Sequence, residues 1–299
     1  MGSGTWTTAA YTTYATSCGY TVDALTGTRG VKGVKGDPGA SQMYKSRSLP
    51  AILNPKNVLR ECLDSEEHPS TIPVILALDV TGSMGDTAVQ VAKNINTVMT
   101  EMYSKLKDVE FMVMGIGDLA YDDSPIQISQ FESDVRIVEQ MDQVYFEFGG
   151  GGNSYESYTA AWYMGARHCA LDAWKRGRKG IIITLGDEEL NPHLPARGLR
   201  EATGDDLQAD VETKDLWEEA SEKFDIYHIN VEHRSYMSPS LERTWREYLD
   251  EDHFFTVGTN QVVDTIIDII VRAAESDGPG ILVEDAPAVQ TNENGEIVW

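Results

Sequence analysis

The sequence has little cysteine and no long apolar run. Its three cysteines, Cys18, Cys62 and Cys169, lie far apart among 299 residues and form no CxxC pair. A disulfide framework or a zinc site is therefore not expected, and a reducing, cytoplasmic environment is the simplest interpretation. No apolar run approaches the ~18 residues that a membrane-spanning helix needs. The N-terminus lacks the basic start and apolar centre of a secretory signal, so we expect no membrane association.

Positive charge is also scarce. The chain contains 24 Lys and Arg residues against 48 Asp and Glu residues, which gives a net charge of −24. Residues 1–70 carry seven basic and six acidic side chains, so the remaining 229 residues carry −25. A surface of that sign repels phosphate backbones, and we therefore expect no nucleic-acid partner. It favours cations and proteins that present basic patches.

Composition divides the chain into three predicted regions. Residues 1–70 form an N-terminal arm that we expect to be irregular or partly disordered. Residues 71–275 form an α/β domain, and residues 276–299 form a polar C-terminal tail. The length is sufficient for a domain core without a disulfide or a metal.

The arm contains two unusual stretches. The first 28 residues are rich in Thr, Tyr and Ala and contain one charged residue, Asp23, so they predict a disordered tail, with a partner-binding segment as the alternative. Glycine then recurs at every third position from Gly27 to Gly39. That is the period of a collagen triple helix, but the repeat is short and contains one proline, Pro38. We interpret it as a flexible basic linker.

Strands alternate with helices through the predicted domain. The predicted strands are 74–79, 109–117, 125–131, 180–187, 225–231 and 253–257, and amphipathic segments between them predict helices. This alternation predicts a doubly wound, mostly parallel six-stranded sheet with helices on both faces. The strand that starts at Pro125 is expected at an edge. In the common strand order 3-2-1-4-5-6, ligands bind at the carboxyl ends of the two central strands.

Oxygen-bearing side chains follow both predicted central strands. Asp79 ends the first strand, Thr81 and Ser83 come just after it, and Asp187 ends the fourth. Two carboxylates in one crevice repel each other and are costly to desolvate, and neither loop contains a Lys or Arg. A metal ion is therefore the expected counter-charge. Hard oxygen ligands favour Mg²⁺ or Mn²⁺ over zinc.

The same residues carry a family resemblance. DVTGSM at 79–84 resembles the metal-ion-dependent adhesion site of von Willebrand factor A-type (vWA) domains, Asp-x-Ser-x-Ser, in an intracellular bacterial form. Asp187 in LGDEE resembles the later aspartate of that family, and GGGGNSYES at 149–157 resembles the loop that brings a threonine to the ion. The resemblance covers roughly residues 72–275. It implies a Rossmann-like fold and a Mg²⁺ ion whose open coordination position accepts an acidic side chain of a partner protein, without catalysis.

Two departures from the family pattern concern the ligands. Thr81 stands where the family has serine, and it keeps the hydroxyl. The glycine loop has no threonine at the expected place, so Asn153, Ser154 or Glu156 is the candidate for the third ligand, directly or through water.

The same residues allow other interpretations. Asp79, Thr81 and Ser83 could cap a helix N-terminus, and Asp187 could be a turn residue. Asp79 could also be the nucleophile of a Mg²⁺-dependent phosphatase of the haloacid-dehalogenase type, although Thr81 stands where that motif has a second aspartate. A third role is a structural subunit that assembles through the arm. The acidic turn of Asp118, Asp122 and Asp123 is expected to be a solvated loop and not a second cation site.

Overall fold

A six-stranded sheet forms the centre of the molecule. The computed structural model describes residues 4–147, 155–232 and 239–276. The sheet strands are β1 (Ile72–Asp79), β2 (Val109–Ile116), β3 (Ile126–Ile128), β4 (Gly180–Gly186), β5 (Phe224–Glu232) and β6 (Phe254–Gly258). Their order is β3-β2-β1-β4-β5-β6. All neighbouring pairs are parallel except β2 and β3, which are antiparallel. The six predicted strands, the strand order and the edge position of β3 are confirmed.

The register places the two acidic motifs side by side. Leu78 of β1 pairs with Leu185 of β4. One residue further along each strand, Asp79 therefore lies beside Gly186, and Asp187 follows directly. The carboxyl ends of β1 and β4 lie where strand order reverses, so the residues just past these ends border the crevice at that point.

Helices pack on both faces of the sheet. They are α1 (Gly85–Lys105), α2 (Arg136–Met141), α3 (Thr159–His168), α4 (Ala196–Thr203), α5 (Thr213–Ser221), α6 (Pro239–Arg246) and α7 (Val262–Ser276). Apolar side chains of α1, α2 and α7 share one core with Val74, Leu76 and Leu78 of β1. Those of α3, α4, α5 and α6 share a second core with Ile75 and Ala77. Alternate residues of one strand thus face two separate cores, which explains why β1 is apolar from Ile72 to Leu78.

Short elements connect this framework. Strand Tyr155–Glu156 pairs in parallel with Glu189–Leu190, and His193–Leu194 pairs antiparallel with Val211–Glu212. Helix Asp172–Lys175 and the 3₁₀ turns Gly82–Met84 and Thr259–Gln261 complete the domain. Within the described ranges, no helix combines the length and the apolar character needed to cross a membrane. The predicted tail, 276–299, lies outside the described residues apart from Ser276 at the end of α7.

The N-terminal arm is folded against the domain, which corrects the prediction of a disordered tail. It contains helix Thr8–Ser17, a hairpin of strands Tyr20–Val22 and Arg29–Val31, helix Ala40–Met43, the 3₁₀ turn Ala51–Leu53, and strand Arg60–Cys62, which pairs with Cys169–Leu171. Tyr11, Tyr20, Met43 and Tyr44 are buried in the same core as α1. Aromatic side chains that suggested a loose segment therefore cover an apolar helix face.

The glycine repeat contains strand Arg29–Val31 of the hairpin and the turns around it, and it is not a flexible linker. Gly27, Gly33 and Gly36 have positive φ angles of 67°, 85° and 83°, which a collagen strand does not use. Arg29 within the repeat is buried and forms an ion pair with Asp142, with 2.7 Å between Nη2 and Oδ1. The repeat thus positions a buried cation.

Candidate functional site

The first motif lies where β1 turns into α1. Asp79 ends the strand and is 1% exposed, and a 3₁₀ turn, Gly82–Met84, leads directly into the helix. Neither Thr81, at the start of that turn, nor Met84, at the start of α1, makes a side-chain capping hydrogen bond. The capping interpretation is therefore wrong for Thr81, whose side chain is used elsewhere.

Asp79 is held by three hydrogen bonds. Its Oδ1 accepts from the backbone N–H of Thr81 at 2.8 Å and from the Thr81 hydroxyl at 2.6 Å. Its Oδ2 accepts from the hydroxyl of Tyr158 at 2.8 Å. The carboxylate is consequently fixed in orientation before any ligand arrives.

Tyr158 links this carboxylate to the second motif. Its hydroxyl accepts from the backbone N–H groups of Asp187 at 3.2 Å and Glu188 at 3.3 Å. Ser83 also connects the two motifs, because its hydroxyl donates to Oδ1 of Asp187 at 3.1 Å. Four predicted ligands, Asp79, Thr81, Ser83 and Asp187, therefore belong to one hydrogen-bonded cluster.

The electrostatics of Asp79 follow from its burial. Burial, which is the largest cause, and the charge of Asp187 raise the pKa of Asp79 from 3.8 to about 7, although the hydrogen bonds from Thr81 and Tyr158 lower it. The ionised form is thus disfavoured in the metal-free chain. A cation beside Asp79 would reverse that preference.

The glycine loop is described only in part. Phe148 to Ser154 lie outside the described residues, so the candidate ligands Asn153 and Ser154 do too. Glu156 is 6% exposed, and among the described residues its Oε2 has no hydrogen-bond partner. Burial, together with the charges of Asp79, Asp122, Asp118 and Glu188, raises its pKa from 4.5 to about 10. Glu156 therefore lies within electrostatic range of Asp79, although no direct bond joins them.

The acidic turn differs from the expected solvated loop. Asp118 is 4% exposed, and its backbone N–H donates to Oδ2 of Asp122 at 2.7 Å. Its own Oδ1 accepts from the backbone N–H of Ala120 at 2.7 Å. These carboxylates organise the turn after β2 and extend the acidic surroundings of the site.

Tyr158 and Gly186 shape this cluster, and neither was predicted from the sequence. A tyrosine just before an apolar helix is typical of a core residue, so Tyr158 carried no signal. Gly186 lies next to Asp187, but its role depends on the fold. A Cβ atom at Gly186 would lie 2.0 Å from the Tyr158 hydroxyl oxygen, so glycine alone leaves room for the phenol.

The donor set suits a hard cation with few protein ligands. Among the described residues, no group of three or more His, Cys, Asp or Glu side chains is placed to hold a metal ion. The hydroxyls of Thr81 and Ser83, however, use their hydrogens on Asp79 and Asp187, which leaves their oxygen lone pairs available. Oδ2 of Asp79 accepts a single hydrogen bond in the cluster. Such mixed hydroxyl and carboxylate oxygens, with water at the remaining positions, match Mg²⁺.

Comparisons with known proteins give distant likenesses in structure. No family model matches the sequence, and no match is found among curated proteins. The fold is similar to the open conformation of the pilus adhesin SpaC from Lactobacillus rhamnosus GG, with a TM-score of 0.46, 13% identity, and coverage of 70% of this chain and 31% of SpaC. It is also similar to the vWF domain of the type V pili tip protein Mfa5 from Porphyromonas gingivalis, with a TM-score of 0.44, 12% identity, and coverage of 71% of this chain and 97% of that domain. This chain thus spans about a third of SpaC, and the function proposed below rests on the geometry of the site.

Proposed function

We propose that this chain is a doubly wound domain of the vWA type that binds one Mg²⁺ or Mn²⁺ ion and uses it to capture a partner protein. Asp79, Thr81, Ser83 and Asp187 hold the ion, and an open coordination position accepts a carboxylate of the partner. The observation that carries this proposal is the hydrogen-bonded cluster that these four residues form with Tyr158 at the ends of the two central strands.

The surrounding charge supports a cation at this position. Asp79 and Glu156 are both buried, and the charges that act on each of them are mainly acidic. Buried carboxylates are costly without a compensating charge. A divalent ion supplies that charge and favours their ionised forms.

The same charge restricts the partner. Because residues 71–299 carry −25, a partner that is acidic overall would be repelled at long range. The partner that suits this surface presents one carboxylate to the ion and basic side chains around it.

A binding role fits the site better than phosphatase chemistry. A nucleophilic aspartate must reach its substrate, whereas Asp79 is 1% exposed and both of its oxygens accept hydrogen bonds. Thr81, in place of the second aspartate of that motif, donates to Asp79.

Assembly through the arm receives less support than metal-dependent capture. The described part of the arm buries Tyr11, Tyr20 and Tyr44 against its own domain. Those side chains are not available to a neighbouring molecule.

Isothermal titration with MgCl₂ tests the proposal. We expect one ion per wild-type chain and loss of the binding heat in Asp79→Ala and Asp187→Ala. Asp225→Ala is the matched control, because Asp225 lies at the amino end of β5, where it pairs with Lys179. Absence of Mg²⁺ and Mn²⁺ binding by the wild type would overturn the proposal.

Capture of a partner is tested separately. The immobilised chain should retain a partner from lysate in Mg²⁺ and release it in EDTA, and Asp187→Ala should retain none. Retention that is equal in Mg²⁺ and EDTA would contradict a metal-dependent role.

A further inference from the structure

We infer that Tyr158 is a positioning residue that fixes the two acidic motifs of the site relative to each other. Its role toward the metal rests on the function proposed above. Its role in holding the Asp187 segment is a property of the metal-free chain and can be tested without any ion.

The hydroxyl of Tyr158 is fully used. A phenol hydroxyl has one hydrogen to donate and two lone pairs to accept with. The hydrogen goes to Oδ2 of Asp79 at 2.8 Å, and the lone pairs accept from the backbone N–H groups of Asp187 at 3.2 Å and Glu188 at 3.3 Å. Two N–H donors on one oxygen polarise the O–H bond and strengthen its donation to Asp79.

The phenol ring has little freedom to move. Tyr158 is fully buried, and its ring centre lies 5.5 Å from that of Trp245 and 5.4 Å from that of His228. On the remaining side it lies against Gly186, where any Cβ atom would overlap the hydroxyl. Because the ring is confined on these sides, the position of its hydroxyl oxygen is more closely defined than that of a mobile side chain.

Helix α6 holds the same segment from the other side. The indole N–H of Trp245 donates to the carbonyl oxygen of Glu188 at 3.2 Å. The backbone N–H of Leu190 donates to the hydroxyl of Thr244 at 3.1 Å. The segment from Asp187 to Leu190 is therefore bonded to Tyr158 through its first two backbone N–H groups. It is bonded to α6 at Glu188 and Leu190.

This arrangement makes the site preformed. The carboxylate of Asp187 projects from a backbone whose position is set by Tyr158, and Asp79 is held by the same hydroxyl. One neutral group thus sets the spacing between two carboxylates that repel each other, without adding a charge that would compete with the cation. Residues that orient metal ligands in this way typically change metal affinity about 10–100-fold when they are replaced.

Tyr158→Phe tests the inference, because it removes the hydroxyl and keeps the ring. Tyr163→Phe is the matched control, since Tyr163 is a buried tyrosine of α3 whose hydroxyl donates to Asp205, away from the site. Circular dichroism first establishes that both variants are folded. Amide hydrogen exchange of Asp187 and Glu188 is then measured by NMR without metal, followed by titration with MgCl₂.

We expect exchange of both amides to accelerate about tenfold in Tyr158→Phe and to stay at the wild-type rate in Tyr163→Phe. We also expect Mg²⁺ to bind about 10–100-fold more weakly to Tyr158→Phe and with unchanged affinity to the control. Unchanged exchange would overturn the inference, whatever the metal does. Faster exchange with unchanged Mg²⁺ affinity would also overturn it, since Tyr158 would then hold the segment without positioning a ligand. If the wild type binds no metal, the proposed function fails, and the exchange rates alone decide the role of Tyr158.

Discussion

Arg29 of the arm and Asp142, which follows α2, form an ion pair inside the protein. The side chain of Arg29 is 0% exposed and that of Asp142 is 10% exposed, with Nη2 and Oδ1 2.7 Å apart. The hydroxyl of Tyr14 donates to the same carboxylate at 3.0 Å. This pair joins the arm to the domain across 113 residues of sequence, and it makes the arm a structural part of the molecule.

Removal of one partner of this pair should destabilise the protein strongly. Arg29→Met leaves the buried carboxylate of Asp142 without its ion-pair partner, which costs about 3–5 kcal/mol in comparable pairs. Urea unfolding measures this loss. Arg197→Met is the control, because the pair between Arg197 and Glu201 is 84% and 67% exposed and should contribute less than about 1 kcal/mol. Equal losses in the two variants would contradict a buried arm contact.

The stability of the metal-free chain should depend on the ionisation of Asp79. The folded-state pKa of about 7 lies above the ordinary 3.8, so the folded chain binds this proton more tightly than the unfolded chain does. The resulting stabilisation is complete below about pH 4 and is lost as the pH rises to about 7, at about 1.4 kcal/mol per pH unit.

Asp79→Asn lacks that titration. Urea unfolding in EDTA at several values between pH 4 and pH 8 should show the wild type losing stability with rising pH relative to Asp79→Asn. Asp225→Asn should follow the wild type. A constant difference between the wild type and Asp79→Asn across this range would show that burial does not perturb Asp79.

A side chain at Gly186 should destabilise the protein. A Cβ atom would lie 2.0 Å from the Tyr158 hydroxyl oxygen, so Gly186→Ala must displace the phenol. Overpacking of this kind typically costs about 1–3 kcal/mol. The control is Gly39→Ala, where the nearest atom is 3.9 Å from the added carbon and φ is −72°. A thermal unfolding midpoint for Gly186→Ala that equals the wild-type value would contradict the described packing of Tyr158 against Gly186.

The hydroxyl at position 81 should matter more than the methyl group. Thr81→Ser keeps the donor to Asp79 and the oxygen lone pairs, so Mg²⁺ affinity should remain near the wild-type value. Thr81→Val removes both, so binding should be lost and Asp79 should lack one of its three hydrogen bonds. Titration with MgCl₂ compares the two variants. Equal affinities would show that Thr81 is not a ligand.

The central strands and the residues at their ends were predictable because local sequence determines them. Apolar runs such as VILAL before Asp79 have few alternatives to a buried strand, and Asp187 follows a run of the same kind. The parallel arrangement then brings both aspartates to one edge.

Other features depend on contacts between residues that are distant in sequence, so no local sequence pattern predicts them. Tyr158 has the sequence context of a core residue, and its hydroxyl acquires a role only when β1 and β4 are neighbours. Arg29 lies among glycines and lysines that suggest a linker, and its buried partner, Asp142, is distant in sequence. The aromatic residues of the arm resembled a loose segment because the surface that they cover, on α1, belongs to another part of the chain.

Crystallography with Mn²⁺ tests the central claim most directly. Anomalous difference density from crystals grown with millimolar MnCl₂ should show one ion within coordination distance of the hydroxyl oxygens of Thr81 and Ser83, with Asp79 and Asp187 coordinating it directly or through water. Loss of that density in Asp187→Ala crystals would assign it to this cluster. A wild-type crystal with no manganese at this edge of the sheet, or with manganese bound at a different cluster, would contradict the account.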